Sequence, residues 1–414
     1  MSPLAAHNAS VAIIALPNEL LSAIFGHIPP STLTIIALLS HRFRAVAERL
    51  LYSSVLLTDS LSEASPVPWK TLRWCESMHQ RTHLIEAAKK LQIRWQADPR
   101  TSFTSSLLTA SNQLGSILPR LIFLESLEIF LGPANLGPAR DPPIHAIERV
   151  IHGARLPLLQ HCSLGAEWSK SMQPYTGVLA SFLASLHSLR HLKLPDHQAG
   201  IDLPPGALPC LSSFRGSADT AAFLLPGRPV QALSLVGQDS DVNRENLLRM
   251  THTTVPLRYL DLSAMSARPV LLRNISTHFP AVEKLRVKLA LRHTLHYAFS
   301  GIVSTPYSPH DYFILLKPDL TSKQRLLTGL SPLLSAFDHL TFIDLSPTDV
   351  DGVGRADADE ESAILVEWGK ACPSLRHVIF PSETAWTLQD SGIWAIQDTV
   401  SLLSPSPSSS HLGH

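Results

Sequence analysis

Leu257-Arg258-Tyr259-Leu260-Asp261-Leu262 carries the pattern that decides the fold: aliphatic, two variable residues, aliphatic, one variable residue, aliphatic. Its second half alternates, which suits a short strand with one face buried. The same phrase stands at Leu124-x-x-Leu127-x-Ile129, Leu159-x-x-Cys162-x-Leu164 and Leu189-x-x-Leu192-x-Leu194. It returns at Val282-x-x-Leu285-x-Val287, Leu340-x-x-Ile343-x-Leu345 and Leu375-x-x-Val378-x-Phe380. Weaker copies are Ala88-x-x-Leu91-x-Ile93, Leu211-x-x-Phe214 and Val230-x-x-Leu233-x-Leu235.

Between these phrases lie helical candidates: 145–152, 177–188, 244–250, 270–279 and 363–370. Neighbouring anchors are mostly 19 to 36 residues apart; one gap, Leu285 to Ile343, is 58, and Tyr312–Leu316 is a candidate strand to fill it. A strand plus a helix at such a period resembles the leucine-rich repeat, with the Asn of the strict pattern missing. A single strand–helix unit cannot bury its own apolar face, but a stack buries a continuous core. The expectation over residues 58–400 is an irregular solenoid, parallel strands on the concave side and helices on the convex side. A compact α/β domain with a similar strand order is the alternative.

Upstream, residues 15–57 form a dense helical unit. Pro17 suits a first helical turn, where its missing N–H is not needed. Leu20, Leu21, Ile24, Phe25 and Ile28 then recur at helical spacing. Pro29-Pro30 stops this helix, and Ser31 or Thr32 is positioned to cap the next. Leu33, Ile36, Ala37 and Ser40 make a narrow stripe, Arg42–Tyr52 continues as helix, and Val55-Leu56-Leu57 is strand-like. Three short helices in so few residues cannot bury this much apolar surface among themselves, so the surplus face needs cover.

The run Leu16-Pro17-Asn18-Glu19-Leu20-Leu21-Ser22-Ala23-Ile24-Phe25-Gly26-His27-Ile28-Pro29-Pro30, followed by Leu38-Leu39-Ser40-His41-Arg42-Phe43-Arg44, resembles the F-box. It departs from the family's pattern at Ser31 and Thr32, where an acidic residue is frequent, at Ser40 for cysteine and at Phe43 for tryptophan. The continuation Ala47–Val55 looks like the exit of many fungal F-box proteins, and the body is similar to theirs. The resemblance implies docking to the Skp-type adaptor of a cullin–RING ubiquitin ligase through Leu16, Pro17, Leu20, Ile24, Phe25, Ile28, Pro29, Leu33, Leu38 and Phe43. It also implies that the solenoid captures a client protein for ubiquitination. The chain would then be the substrate-recognition subunit of an SCF-type ligase. The alternative is a repeat scaffold that uses the helical unit only as an N-terminal cap.

Composition excludes several other classes. The chain has 414 residues, 45% hydrophobic and 16% charged, with 34 Lys+Arg balancing 34 Asp+Glu. Ample core material with no cationic excess argues against a general nucleic-acid binder. Apolar runs stop at six or seven residues, far short of the ~20 that span a bilayer. An intracellular protein of cytoplasm or nucleus is expected, with residues 1–14 a loose lead-in and 401–414 a disordered Ser/Pro tail. Cys75, Cys162, Cys210 and Cys372 have no zinc or disulfide spacing and read as four buried thiols.

No catalytic, cofactor or metal residue is assigned. There is no nucleophile elbow, dinucleotide fingerprint or phosphate loop. His187 and His191, four apart, are read as surface or satisfied histidines. The acidic cluster 351–361 is read as a solvated loop, with Glu360 and Glu361 in it. Trp69, Trp74, Trp95, Trp168, Trp368, Trp386 and Trp394 are read mainly as packing.

Overall fold

The computed structural model describes residues 16–97, 104–132, 146–166, 176–290, 327, 330–348 and 358–397. The expected lead-in 1–14, the tail 401–414, the candidate strand Tyr312–Leu316 and Trp168 lie outside the described residues. Two compact units emerge: Met1–His197 with Asp202–Leu211, and Gln198–Ile201 with Ser212–His414.

The first unit opens with three helices, α1 (Asn18–Phe25), α2 (Pro30–Leu39) and α3 (His41–Ser53). Five strands follow: β1 (Ser54–Leu61), β2 (Lys90–Ala97), β3 (Ser126–Phe130), β4 (His161–Gly165) and β5 (His191–Leu194). Each runs parallel to its predecessor in the chain. The helices between them are α4 (Trp69–Gln80), α5 (Thr104–Ile117), α6 (Ala146–Ile151) and α7 (Thr176–Ala184). The middle aliphatic of each phrase lies beside its counterpart: Val55, Leu91, Leu127, Cys162 and Leu192 form one rank across the sheet. Leu57, Ile93, Ile129 and Leu164 form the next. From β2 onward both ranks are buried, each aliphatic side chain gaining roughly 1.5–3 kcal/mol from leaving water.

In the second unit β6 (Ser213–Gly216), β7 (Ala232–Val236), β8 (Tyr259–Ala267), β9 (Lys284–Leu289), β10 (Phe342–Asp344) and β11 (His377–Ile379) are parallel and paired in chain order. They alternate with α8 (Ala218–Leu224), α9 (Arg244–Met250), α10 (Pro269–His278), α11 (Ser331–Leu334) and α12 (Ala358–Ala371). Phe214, Leu233, Leu260, Leu285, Ile343 and Val378 form its buried rank. Strand direction then reverses: β12 (Ala385–Leu388) and β13 (Trp394–Ile396) are antiparallel. Their turn places Gly392 at φ +78°, a conformation open to residues without a Cβ.

A backbone signature shows that the repeats are equivalent. The carbonyl just before one strand accepts two successive N–H groups from the start of the next. Gln231 O takes Arg258 N and Tyr259 N at 2.9 and 3.0 Å, Arg258 O takes Glu283 N and Lys284 N, and Glu283 O takes Thr341 N and Phe342 N. The same bonds link Lys89, Glu125 and Gln160 in the first unit. These bonds satisfy the turn's backbone without the asparagine of the strict repeat. They also make β9 and β10 consecutive repeats despite the long gap between them. Strands alternating with helices in this register are leucine-rich-repeat-like, and every predicted phrase falls on a strand.

Several expectations are corrected. Neither Ser31 nor Thr32 caps α2, because the helix already starts at Pro30, with Pro29 as the flanking residue. Glu360 and Glu361 lie in the first turn of α12 instead of a loop, and Glu361 is buried. It accepts from Trp386 Nε1 at 2.9 Å and Ser382 Oγ at 2.5 Å, so two donors from across the repeat replace its water. Cys210 is exposed, whereas Cys75, Cys162 and Cys372 are buried. The reading of His187 and His191 is unchanged: His187 is exposed beyond the end of α7, and His191 is half-buried on β5.

Helices α4, α5, α8 and α11 and the β12–β13 hairpin are additions to the predicted set. In α4 the buried positions Thr71, Trp74, Cys75 and Met78 have helical spacing, but a threonine occupies one of them. Asp59 on β1 explains it. Its carboxylate accepts from Lys70 N (2.9 Å), Thr71 N (3.1 Å) and Thr71 Oγ1 (2.7 Å), and Thr71 Oγ1 accepts from Trp95 Nε1 (3.0 Å). The helix is therefore capped from the sheet.

Candidate functional site

The N-terminal helices carry the surplus apolar surface anticipated from their size. Leu21, Phe25, Leu33, Val46 and Ala47 form their core, with Leu16, Ile28, Ile36, Ala37, Phe43, Leu50 and Leu51 packed around it. Phe25 and Phe43 meet edge to face at 5.6 Å and 84°. Ser40 takes an extended conformation, φ −159°, and its Oγ accepts from Phe43 N at 3.1 Å, starting α3. Arg42 ties the start of α3 to that of α1: Nε donates to Asn18 Oδ1 at 2.8 Å, and Nη2 donates to the Leu16 carbonyl. Arg44 Nε donates to Ala37 O at 3.2 Å near the end of α2. Two arginines thus fix the helices relative to one another.

What this core leaves outside is also apolar. Leu20 and Ile24, one turn apart on α1, are 51% and 48% exposed. On α2, Ile35, Leu38 and Leu39 are 62%, 76% and 67% exposed. Their spacing places them on one helical face, opposite Leu33, Ile36 and Ala37. A helix apolar on both faces is built to be covered on both.

The ten residues implied for adaptor docking divide by this geometry. Leu20, Ile24, Leu38, Pro17 and Pro29 are exposed; Leu16, Ile28 and Phe43 are half-buried; Phe25 and Leu33 are buried in the unit's own core. Ile35 and Leu39 were not singled out from sequence. The signal was present, since a stripe through Leu33, Ile36 and Ala37 leaves Ile35, Leu38 and Leu39 on the far side.

A family model described as F-box-like matches residues 13–58. The chain carries an F-box-like domain. No curated protein matches the chain. Among solved structures it is similar to a leucine-rich repeat-containing protein, LegL7, from Legionella pneumophila, at 14% identity and a TM-score of 0.38. That match covers 82% of this chain and 88% of the other. Neither match bears on the fungal part of the resemblance. The F-box-like domain is followed by the leucine-rich-repeat-like strands of the two units.

Among the described residues no three His, Cys, Asp or Glu side chains converge on a metal-sized site, and no helix is long and apolar enough to cross a membrane. Burial pushes the Cys75 and Cys162 thiols up to about 12, which leaves them protonated and unreactive at neutral pH. Trp74, Trp95, Trp368 and Trp386 are buried, Trp394 is half-buried and Trp69 is exposed.

Proposed function

We propose that this chain is the substrate-recognition subunit of an SCF-type (Skp–cullin–F-box) E3 ubiquitin ligase. The F-box-like domain, over residues 15–57, docks the Skp adaptor, and the repeat body, over 58–400, holds a client for ubiquitination and degradation inside the cell. The observation that supports this most is the exposed apolar side chains of the two helices, Leu20 and Ile24 on α1 and Ile35, Leu38 and Leu39 on α2. Covering such side chains gains roughly 1.5–3 kcal/mol each before the costs of association. An aliphatic helix face seated in an apolar groove is a recurring mode of recognition. The chain contributes no bond-making group; it contributes effective concentration and orientation.

The test is co-purification with a Skp-type adaptor, wild type against Leu20→Glu/Leu38→Glu. Both side chains are exposed, so the variant keeps its helices, checked by circular dichroism. A 1:1 complex that the variant weakens by about a hundredfold is expected. A wild-type chain that stays folded and alone sinks the proposal.

The second reading, an N-terminal cap on a non-ligase scaffold, has its own support. Glu48 on α3 pairs with Arg81 at 2.9 Å, and Ser53 O accepts Lys89 N at 3.0 Å, so the helices are bonded into the first repeat. A cap alone, however, leaves the Leu38 face unexplained.

A further inference from the structure

The second unit ends on an unguarded strand. β13 stands last in the sheet, and no described strand lies beyond it. Gln389 N donates to Ile393 O at 2.9 Å and Gln397 N donates to Ala385 O at 2.8 Å, while Ala395 lies opposite Thr387. Ile393, Ala395 and Gln397 therefore turn their backbone toward β12. Antiparallel pairing alternates, so Trp394 and Ile396 each turn an N–H and a C=O toward the outer edge. Natural edges are commonly protected by a charge, a proline or a bulge. Ile393-Trp394-Ala395-Ile396-Gln397 holds neither charge nor proline, and its pairing with β12 is regular.

The side chains at this edge are apolar as well. Trp394 and Ile396 lie on the face that meets α12. Trp386, opposite Ile396, is buried and bonded to Glu361, and a Cβ on Gly369 would stand 3.7 Å from Trp394 Nε1. Ile396 is nonetheless 52% exposed, and Ile393 on the other face is 66% exposed. No described helix follows α12 to cover them.

We propose that β13 pairs antiparallel with β13 of a second copy of this chain, about a two-fold axis at Ala395. That register is self-complementary. Trp394 N–H donates to the second copy's Ile396 carbonyl, whose own N–H donates back to the Trp394 carbonyl. The two-fold axis repeats both bonds, so every outward backbone group of the two strands is paired. Trp394 then packs beside a β-branched Ile396 across the strands, a stabilising cross-strand pair. Ala395 faces itself in the close, non-hydrogen-bonded position, where a small side chain fits. Charge agrees: an acidic or basic peptide finds no counter-charge on β13, whereas a like strand meets no repulsion. The chain's own 398–414 is the rival occupant. Pro405 and Pro407 lack the N–H that a paired strand donates, so both a turn and a strand would have to come from the few residues before them. A two-fold contact closes on itself, so assembly stops at the dimer. This contact does not depend on the adaptor.

The test is sedimentation velocity on the full chain from about 1 to 100 μM. A reversible dimer with a Kd of about 10 μM is expected, since one strand pair is a small interface. Ile396→Lys places a guard on the edge and should weaken the dimer at least about tenfold. Its side chain is exposed, so an unchanged thermal midpoint separates this loss from misfolding. The register is read by cysteine cross-linking on a Cys210→Ser background, which removes the exposed native thiol. Ala395→Cys should form an intermolecular disulfide under mild oxidation, because the two Cα atoms at the axis lie about 4.5 Å apart. Ile393→Cys should not, because the axis sets it against Gln397. A wild-type chain that is monomeric throughout overturns the proposal. So does a dimer that Ile396→Lys leaves intact, or association that runs on past the dimer. A chain that dimerises only after removal of 398–414 assigns the edge to its own tail and also overturns it. Cross-linking through Ile393→Cys in place of Ala395→Cys overturns the register. Adaptor capture, measured on the same preparations, fails or succeeds separately.

Discussion

At the scale of single residues, the molecule is held by polar groups placed where sequence offers no hint of a partner. Glu361 belongs to a run of acids and alanines that reads as a solvated loop, and nothing local reveals that Ser382 and Trp386 supply its hydrogen bonds. Asp59 and Thr71 are similar: their partners are 12 and 24 residues along the chain. Removing one partner of such a pair exposes the desolvation cost of the other. Glu361→Ala should destabilise the second unit by about 1–3 kcal/mol in urea unfolding, with Trp386→Phe recovering part of the loss on the alanine background. Additive effects of the two changes would show that the pair is not coupled. Asp261 and Asp344 illustrate the opposite case. Each closes the same turn onto the serine two residues on, so the paired Asp-Leu-Ser triplets were legible as a repeat once aligned.

Among elements, legibility follows the strength of the pattern. The strands were readable because each anchor is an aliphatic that must be buried. Helices α9 and α10 were readable because they join apolar stripes to clear stops. Helix α5 was not: its Thr-Ser-Ser and Ala-Ser-Asn stretches compete for backbone hydrogen bonds and weaken helix propensity. In the F-box-like domain the three helices were legible, but the choice of face was not fully so. Phe25 and Leu33 turned inward, while Ile35 and Leu39 turned outward. Ser40, read as part of a stripe, is the cap of α3. Ser40→Ala should therefore cost about 1 kcal/mol, seen as a lower thermal midpoint of the adaptor-free chain, whereas Ser40→Asp should keep the midpoint near wild type. An unchanged midpoint in the alanine variant would remove the cap's role.

For the molecule as a whole, the repeat order came from the spacing of the phrases, while the antiparallel end did not, since β12 and β13 carry no copy of the phrase. One response to acid spans both units. His191 on β5 stacks on His161 with ring centroids 4.6 Å apart. Burial, then His161, Arg190 and Lys193, holds its pKa below 6.5, and burial and Lys284 do the same for His377. A histidine that is harder to protonate when folded binds more protons when unfolded. Its contribution is intact above the unfolded value of 6.5 and is lost as pH falls through 6.5 toward the folded value. The urea midpoint should fall between about pH 7.5 and 5.5, and His191→Gln should flatten that slope. A midpoint that rises on acidification would reverse the assignment.

The backbone bonds that hand each carbonyl to the following repeat have a consequence for synthesis. Within each unit every strand after the first pairs with the strand made just before it. A polypeptide leaving the ribosome can therefore lay down repeats in order, each new one templated by the last. The F-box-like helices are translated before the repeats, so a nascent chain carries their exposed apolar residues before the second unit has been made. Capture of stalled nascent chains on immobilised adaptor would show assembly beginning during translation.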